Sequence, residues 1–282
     1  MENKIKEAEI LTEALPYINK FKDAYFLIKF GGSIMENEES KKLFCRQIAL
    51  LKSVGIHPIV VHGGGKEITR WLNKIGKEAV FIDGLRVTDS ETIEILEMVL
   101  SGKIRNDLVS TINSFGVKAI GLSGKDVSLF TCKKITERSD LGFVGEVIDV
   151  NSEFIKFISK SGIVPVISSV GFSSERETLN INADTVASKV ASSLEVEKLI
   201  LLTDVDGLKI ENKLIKKITL SEANKLLTHP EVTGGMIPKL QGCINAISDG
   251  VKNIHLVNGN IPYSILLEVF TDGGIGTMIT NS

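Results

Sequence analysis

Two lysines stand at positions where a bound anion would explain their charge. Lys29 lies in the apolar run "YFLIKF", directly before two glycines, and burying an ammonium group is costly unless an anion meets it. Lys239 follows "TGGMIP" at the predicted start of a helix, where a positive charge opposes the helix dipole. Each lysine also has an ordinary alternative, a snorkelling or edge-strand side chain for Lys29 and a solvated first-turn side chain for Lys239. Anion stabilisation is therefore the first chemistry to test.

Glycine-rich turns follow the first two predicted strands. "KFGGS" supplies Gly31 and Gly32, and "VVHGGGKEI" supplies Gly63, Gly64 and Gly65. Glycine lets the backbone approach an anion closely, and successive N–H groups form the nest that phosphate prefers. Two such loops facing each other would suit a transferring phosphoryl group, although each loop alone is also an ordinary tight turn.

Polar residues suited to a small ligand occur in two further segments. Arg86 follows a glycine turn in "DGLRVTD", and its planar guanidinium fits a ligand carboxylate or a surface ion pair. "LNINADTVA" places Asn180, Asn182 and Asp184 directly before a predicted helix, where capping alone would account for one of them. Arg86 is therefore the candidate for binding a carboxylate.

The familiar glycine-rich signatures do not fit. "HGGGKE" lacks the opening glycine of a P-loop and has glutamate where Ser or Thr would ligate magnesium, and "GLSGKD" fails similarly. No strand runs into G-x-G-x-x-G with an acidic residue about twenty positions later. G-x-S-x-G is absent too. These observations exclude a P-loop protein and a serine hydrolase and leave a dinucleotide fold unsupported.

The elements that must position these residues alternate between strand-like and helical segments. Helical period occurs at 38–54, at 66–75 and from Asp184 onward, between the apolar runs "AYFLIKF", "IHPIVVH", "VKAIGL", "GIVPVISSV", "KLILLTD" and "NIHLV". This pattern predicts an α/β fold with a parallel sheet between helices. "VSLFTCKKI" and "GFVGEVIDV" alternate more clearly and predict an antiparallel hairpin at one edge. Because ligands bind beyond the carboxyl ends of such strands, the glycine turns and "TDVDGL" fall at the predicted ligand edge.

Composition describes an ordinary globular protein. The 282 residues are 43% hydrophobic and 24% charged, with a formal net charge of -2, which favours neither nucleic acid nor an acidic membrane as partner. The three cysteines are far apart and odd in number, so we interpret them as reduced thiols. The amino terminus lacks the features of a secretion signal and no run reaches transmembrane length, so we expect a cytoplasmic protein.

Ten segments together resemble the amino acid kinase family over nearly the whole chain. In the family's order they are "IKFGGS", "VVHGGGKEI", "DGLRVTD", "GLSGKD", "GFVGEV", "PVISSVG", "LNINADTVA", "LILLTDVDGL", "TGGMIPKL" and "FTDGGIGTMI". "GLRVT" and "NINAD" narrow the resemblance to members that phosphorylate the side-chain carboxylate of N-acetyl-L-glutamate in arginine synthesis. The resemblance implies a three-layer αβα sandwich with a central, mostly parallel sheet.

The resemblance also implies roles for the residues found above. Lys29 and Lys239 would stabilise the transferring phosphoryl group, and Asp184 would hold both lysines without accepting a proton. The residues implied in binding the acetylated amino acid are Gly64, Gly65, Arg86 and Asn180. Those implied near the nucleotide are Gly31, Gly32, Asp204 and Gly207.

ATP is the implied phosphoryl donor, and Mg²⁺ is expected on the nucleotide oxygens rather than at a metal site of the protein. The nucleophile would be a carboxylate that is already ionised near neutral pH, so no general base is required. His62, which ends a strand beside the second glycine turn, is therefore interpreted as a structural hydrogen-bond partner.

Three regions follow from the resemblance: an N-terminal helix for oligomerisation and regulation at 1–22, a lobe for the amino-acid substrate at 23–194, and a lobe for ATP at 195–282. Arginine-sensitive hexameric members carry such a helix, so L-arginine is an expected inhibitor and a homohexamer, a trimer of dimers, the expected assembly. The implied effector contacts are Tyr17, Glu268 and Gly274.

This chain departs from the family pattern at two positions. It has Tyr263 where histidine usually precedes "S-x-L-L-E", which bears on arginine inhibition, and Lys66 where proline commonly follows "HGGG". Two alternatives remain open at this point. One is a kinase of the same fold acting on another carboxylate, such as an aminoadipate derivative, and the other is a non-catalytic arginine sensor.

Overall fold

Eight strands form one mostly parallel sheet with helices on both of its faces, in a computed structural model that describes residues 12–136 and 141–281. In chain order the strands of the molecule are β1 (Tyr25–Phe30), β2 (His57–His62), β3 (Phe81–Ile82), β4 (Leu85–Arg86), β5 (Lys118–Leu122), β6 (Phe130–Lys134), β7 (Val144–Val150), β8 (Ile163–Ser168), β9 (Val170–Phe172), β10 (Thr178–Ile181), β11 (Lys198–Thr203), β12 (Lys209–Ile210), β13 (Lys213–Leu214), β14 (Lys217–Thr219), β15 (Asn253–Asn258) and β16 (Thr277–Thr280). The main sheet has the order β14-β16-β15-β11-β1-β2-β8-β5, and only β15 and β16 pair antiparallel. The predicted three-layer αβα sandwich is confirmed.

The helices in chain order are α1 (Leu15–Phe21), α2 (Glu38–Ser53), α3 (Gly65–Lys74), α4 (Ser90–Glu97), α5 (Arg105–Asn113), α6 (Ser152–Lys160), α7 (Ala183–Leu194), α8 (Leu220–Leu226), α9 (Met236–Ser248) and α10 (Ser264–Phe270). A π-helix at Met98–Ile104 joins α4 to α5, and short 3₁₀ helices occupy Gly32–Glu36 and Asp126–Ser128. The helical segments predicted at 38–54 and 66–75 therefore lie within one residue of α2 and α3. No helix in the described ranges is long and apolar enough to cross a membrane.

Strand β1 shows why the sheet is covered on both faces. Phe26, Ile28 and Phe30 are fully buried in one core cluster, which includes side chains of α2, α5 and α10. Leu27 is buried in a second cluster on the other face, which includes side chains of α7 and α9. Because side chains alternate along a strand, Lys29 lies on the same face as Leu27. Its ammonium group therefore projects toward the α7 side of the sheet.

The predicted antiparallel pair exists, but its expected position at one edge of the main sheet was wrong. Strands β6 and β7 pair antiparallel and close with β9 and β10 into a separate four-stranded barrel in the order β10-β7-β6-β9. The buried side chains of this barrel, Phe130, Cys132, Leu179 and Ile181, join the core cluster on the α7 side. Alternation showed that one face of each strand is buried, but it did not show which neighbours cover that face.

The main sheet runs without interruption past the predicted lobe boundary near residues 192–195. That point is the end of α7, where Glu195 adopts a left-handed conformation with φ 53°. The next strand, β11, pairs directly with β1. Of the predicted N-terminal region, residues 1–11 lie outside the described residues. All three cysteines are buried and unpaired.

Candidate active site

The candidate site lies where β1, β2 and β11 end, beside the start of α7. Lys29 Nζ is 3.0 Å from an oxygen of the Asp184 carboxylate, and their side chains are 15% and 49% exposed. Asp184 is held in place because Asn182 caps α7, its side-chain oxygen accepting from the N–H groups of Asp184 and Thr185. Capping thus accounts for Asn182, as one of the two readings of "NINAD" predicted, while Asp184 pairs with the strand lysine.

The two glycine loops lie close to other groups of the site. Gly32 has φ +77°, and a Cβ there would come within 3.1 Å of the Asp204 carboxylate. A Cβ on Gly64 would collide with the side chains of Leu100 and Ile104, which belong to the π-helix. Larger residues at either position would therefore displace groups that line the site.

Asp204 is the first residue after β11 and contacts the first glycine loop. Ser33 donates to one Asp204 oxygen from its hydroxyl at 2.5 Å and from its backbone N–H at 3.3 Å. The hydrogen bond from the Ser33 hydroxyl is the main cause of a lowered pKa at Asp204, and the charges of Lys239 and Lys66 lower that pKa further. Lys239 lies in the first turn of α9. The resemblance implied that Asp184 holds both lysines; its ion pair is with Lys29, whereas the charge of Lys239 acts on Asp204.

A cavity of about 220 Å³ opens on one side of Lys29. Its lining includes all four residues predicted to bind the amino-acid substrate, namely Gly64, Gly65, Arg86 and Asn180. Arg86 Nη2 donates to the Gly65 carbonyl at 2.8 Å and to the Thr69 hydroxyl at 2.9 Å. Its Nη1 atom is buried and has no hydrogen-bond partner among the described residues. Burial lowers the pKa of Arg86, but a guanidinium stays charged, so Arg86 lines the cavity as a cation with one buried donor left unpaired.

Asn180 is linked to Arg86 through Thr88. The Asn180 amide donates to the Thr88 hydroxyl at 3.0 Å, and that hydroxyl donates to the Arg86 carbonyl at 2.7 Å. Thr88 is fully buried. Sequence reasoning missed this residue, although it stands inside the quoted segment "DGLRVTD". A polar residue two positions after the candidate arginine was the available signal.

A larger cavity of about 740 Å³ adjoins the first, and its lining includes Lys29, Asp184, Asp204 and Lys239. Gly32 lines both cavities. Gly207 lies in a further open cavity of about 490 Å³, which shares Asp204 with the larger one. Gly31, by contrast, lines the smaller cavity together with Lys29 and not the larger one. The predicted catalytic, substrate and nucleotide residues thus line three neighbouring cavities, two of which share Lys29.

His62 is fully buried at the end of β2, where Nδ1 lies 3.0 Å from the Gly63 carbonyl. Burial lowers its pKa to about 4, so the imidazole is neutral at pH 7 and Nδ1–H donates. Its expected role as a structural hydrogen-bond partner agrees with this geometry.

The predicted effector residues lie in or beside one loop, residues 271–276, which joins α10 to β16. The Tyr17 hydroxyl donates to the Asp272 carboxylate. The Glu268 carboxylate accepts from the N–H groups of Ile275 at 2.7 Å and Gly276 at 2.9 Å. Gly274 packs against the same carboxylate, so that a Cβ there would meet it at 2.5 Å. Tyr17 and Glu268 therefore contact the loop that contains Gly274.

Glu268 also ends a buried chain of polar groups. Its other oxygen is 2.6 Å from His255 Nδ1, and His255 Nε2 is 3.0 Å from Lys198 Nζ. Because an ammonium group only donates, Nε2 accepts and Nδ1 carries the proton. Burial alone would raise the pKa of Glu268, but the hydrogen bonds from His255 and the two backbone N–H groups leave it lowered. Tyr263, at the position where the family usually has histidine, is about half exposed and precedes α10 with φ 59°.

Comparison with known proteins gives consistent matches over the whole chain. The model of the amino acid kinase family matches residues 24–258. The acetylglutamate kinase of Kosmotoga olearia is 49% identical over 278 residues, which cover 99% of each chain. The acetylglutamate kinase of Methanocaldococcus jannaschii is 48% identical over 98% of this chain and 97% of that protein. Among solved structures, an N-acetylglutamate synthase from Neisseria gonorrhoeae, complexed with coenzyme A and N-acetyl-glutamate, superposes with a TM-score of 0.87 at 25% identity, and the match covers 98% of this chain and 63% of that one.

Proposed function

This chain belongs to the amino acid kinase family, and we propose that it transfers the γ-phosphoryl group of ATP to the side-chain carboxylate of N-acetyl-L-glutamate. This is the activity named for its full-length relatives. The observation that carries the proposal is the position of Lys29, which lines both the cavity with Arg86 and the cavity with Lys239. A cation shared by an amino-acid space and a nucleotide space lies where a phosphoryl group would pass between them.

The proposed reaction needs positioning and charge neutralisation. A carboxylate oxygen of the substrate forms a bond to the γ-phosphorus, the bond from that phosphorus to the β,γ-bridging oxygen breaks, and ADP leaves. The attacking carboxylate is ionised near neutral pH, so no proton has to move. Lys29 and Lys239 offset the charge of the phosphoryl oxygens, and the N–H groups of Gly32 and Gly64 donate to them. Asp184 acts as the positioning residue of Lys29.

The substrate-binding roles follow the open donors of the smaller cavity. Arg86 pairs through its free Nη1 with the α-carboxylate of N-acetyl-L-glutamate, and Asn180 meets the polar groups of the substrate. Gly64 and Gly65 let the substrate approach the backbone. Asp204 and Gly207, with Gly32 of the first loop, border the ATP phosphates and nucleoside, whereas Gly31, predicted beside the nucleotide, lines the smaller cavity together with Lys29.

Mg²⁺ enters this scheme with the nucleotide. No three His, Cys, Asp or Glu side chains among residues 12–136 and 141–281 come together as a metal site. The carboxylates of Asp184 and Asp204 line the nucleotide cavity separately, and Mg²⁺ typically keeps waters and phosphate oxygens as ligands. When bound, the ion would neutralise part of the triphosphate charge.

Regulation forms the second part of the proposal. We assign L-arginine as an inhibitor that binds at the 271–276 loop with Tyr17, Glu268 and Gly274, because these residues lie in or beside that loop and Glu268 offers a carboxylate to a guanidinium. The N-terminal region 1–22 would serve a homohexamer, the region 23–194 the amino-acid substrate and the region 195–282 ATP. Light scattering of the purified protein would measure the assembly.

A substrate panel tests the function directly. With ATP, Mg²⁺ and N-acetyl-L-glutamate, the protein should form an acyl phosphate that hydroxylamine traps as a coloured hydroxamate. Free glutamate and aspartate should give little product, and N-acetyl-aminoadipate tests the alternative acceptor. Equal turnover of free glutamate would contradict the substrate assignment. The same panel with added L-arginine measures inhibition.

A further inference from the structure

Lys66, the chain's departure from the common proline, forms an ion pair that joins the two glycine loops. Its Nζ lies 2.7 Å from the Glu36 carboxylate. Glu36 ends the 3₁₀ helix that begins at Gly32, and Lys66 is the second residue of α3, directly after Gly65. The pair therefore spans from the loop after β1 to the loop after β2. Neither residue has a role in the reaction described above.

The pair borders a cavity that no proposed ligand fills. This cavity of about 480 Å³ is lined by Gly32, Gly64 and Gly65 as well as by Glu36 and Lys66. Gly32 also lines both the amino-acid cavity and the nucleotide cavity, and Gly64 and Gly65 line the first of these. Lys66 therefore shares a cavity with the glycine loops that are proposed to bind the phosphoryl group.

The positive charge of Lys66 acts on Asp204, which lines the nucleotide cavity. The charge of Lys239 acts on Asp204 as well, and both favour the ionised carboxylate. Lys66 also occupies the first turn of α3, where a positive charge opposes the helix dipole and a nearby anion relieves that opposition. Glu36 is that anion in the free protein.

Glu36 holds Lys66 only weakly. Both side chains are 56% exposed, and an exposed ion pair of this kind contributes little to stability because water screens it. The lysine stem is flexible, so its ammonium group can reach different partners. A terminal phosphate carries more negative charge than one carboxylate and would compete well for this cation.

We propose that Lys66 is a third phosphate-binding cation, held by Glu36 in the free protein and transferred to the terminal phosphate of the nucleoside triphosphate when it binds. The proposal rests on the proposed function, because it takes the nucleotide to bind between the two glycine loops. It makes Glu36 a competitor of the nucleotide for Lys66. Removing the lysine and removing its carboxylate partner must then have opposite effects on nucleotide affinity.

Calorimetric titration with Mg²⁺ and the non-hydrolysable analogue AMP-PNP tests these opposite signs. Lys66→Met should weaken AMP-PNP binding about tenfold, since it removes a hydrogen bond between charged groups. ADP lacks the terminal phosphate, so its affinity should change much less. Glu36→Gln should strengthen AMP-PNP binding about threefold, because the competing carboxylate is gone. The double variant should behave like Lys66→Met.

Lys156→Met supplies the control, because Lys156 also forms a partly exposed ion pair, with Glu153 on α6. It should leave AMP-PNP affinity unchanged. Weaker binding in both Lys66→Met and Glu36→Gln would mean that the pair only fastens the loops, and this would overturn the proposal, as would unchanged affinity in Lys66→Met. If the unsubstituted protein failed to bind AMP-PNP, the proposed function would fall together with this inference, whereas the other outcomes concern Lys66 alone.

Discussion

The two faces of the central sheet hold their charged groups in opposite ways. On the α7 face, at the carboxyl end of β1, Lys29 lines two cavities, and Arg86, which lines the smaller one, keeps a buried donor without a partner in the described part of the chain. On the α10 face, Lys198, His255 and Glu268 form a closed chain in which each named polar atom has a partner. The α7 face has hydrogen-bonding capacity for a ligand, whereas the α10 face has used it within the fold.

This difference separates binding from stability. A fully satisfied buried network rigidifies the structure, whereas an open one is costly until a ligand completes it. We therefore expect substitutions around Lys29 and the glycine loops to impair activity more than folding, and substitutions in the Lys198–His255–Glu268 network to impair folding more than the chemical step. An effector at Glu268 would have to share or replace existing hydrogen bonds. Four predictions test this contrast.

The largest effect is expected for Lys29→Met. Loss of a cation that acts on the transferring phosphoryl group should lower kcat in the hydroxamate assay by about a thousandfold, or about 4 kcal/mol. The free energy of unfolding should change by less than about 1 kcal/mol, because methionine fits an apolar strand and Asp184 remains half exposed. Lys29→Arg is the control that keeps charge but alters shape. Near-normal turnover of Lys29→Met would remove Lys29 from the catalytic residues.

The next effect is a loss of stability in acid, and it concerns the buried histidines His62 and His255. Burial lowers the pKa of His62 to about 4 and lowers that of His255, so both are neutral in the folded protein when the unfolded chain already binds protons. Stability is therefore full above pH 6.5 and falls as the pH drops from 6.5 toward 4, by about 3 kcal/mol from His62 alone. Denaturant unfolding measured across this range checks the slope.

His62→Asn should flatten that slope, because it removes the buried imidazole that the unfolded chain protonates at a higher pH than the folded protein does. Glu268 acts in the same direction at lower pH. Its lowered pKa makes its contribution complete above the ordinary value of 4.5 and lost as the pH falls further. A free energy of unfolding that increases as the pH is lowered from 6.5 to 4 would contradict the assignment of neutral buried histidines.

Glu268→Gln tests whether the Lys198–His255–Glu268 network stabilises the fold. The new amide NH₂ would face the Nδ1–H of His255, so two donors would oppose each other in a buried site. We expect the free energy of unfolding to fall by about 2 kcal/mol, with the loss in stability rather than in the chemical step. Glu153→Gln, which changes an exposed glutamate, is the control and should cost less than about 0.5 kcal/mol. Equal losses in both variants would show that the network is not a source of stability.

Local sequence signals predicted the region around Lys29 and the glycine loops well. Lys29 was recognisable as one charge in an apolar run, and the glycines marked the turns where β1 and β2 end. The order of the apolar runs gave the parallel sheet. These features depend on residues that are neighbours in sequence, so composition and spacing reveal them.

The Lys198–His255–Glu268 network and the contacts between loops were not predictable in this way. His255 meets Glu268 across separate elements, Ser33 meets Asp204 from 171 residues away, and the barrel of β6, β7, β9 and β10 closes through long-range pairing. No local pattern encodes which distant partner a polar side chain will find, because tertiary packing selects it. The sequence therefore indicated where a ligand would bind better than it indicated what holds the rest in place.

The smallest expected effect concerns Thr277, which links the Glu268 network to the loop after β11. The buried Thr277 hydroxyl accepts from the N–H of Leu208, in the loop after β11, at 2.9 Å. Thr277 directly follows Gly276, whose N–H donates to Glu268. Gly207, with φ +132°, packs so closely that a Cβ would meet the same hydroxyl at 2.6 Å. Thr277→Val would leave the Leu208 N–H unpaired and loosen this loop, at a cost of about 1 kcal/mol.

We therefore expect Thr277→Val to raise the KM for ATP about fivefold and to leave the KM for N-acetyl-L-glutamate unchanged, while Thr277→Ser, which keeps the hydroxyl, restores the original value. Steady-state kinetics with each substrate varied in turn measures both constants. If both KM values rose together, or if serine behaved like valine, Thr277 would be a packing residue only. If the split is observed, Thr277 holds the loop after β11 in place for ATP, and that loop is joined to the Glu268 network through a single hydroxyl group.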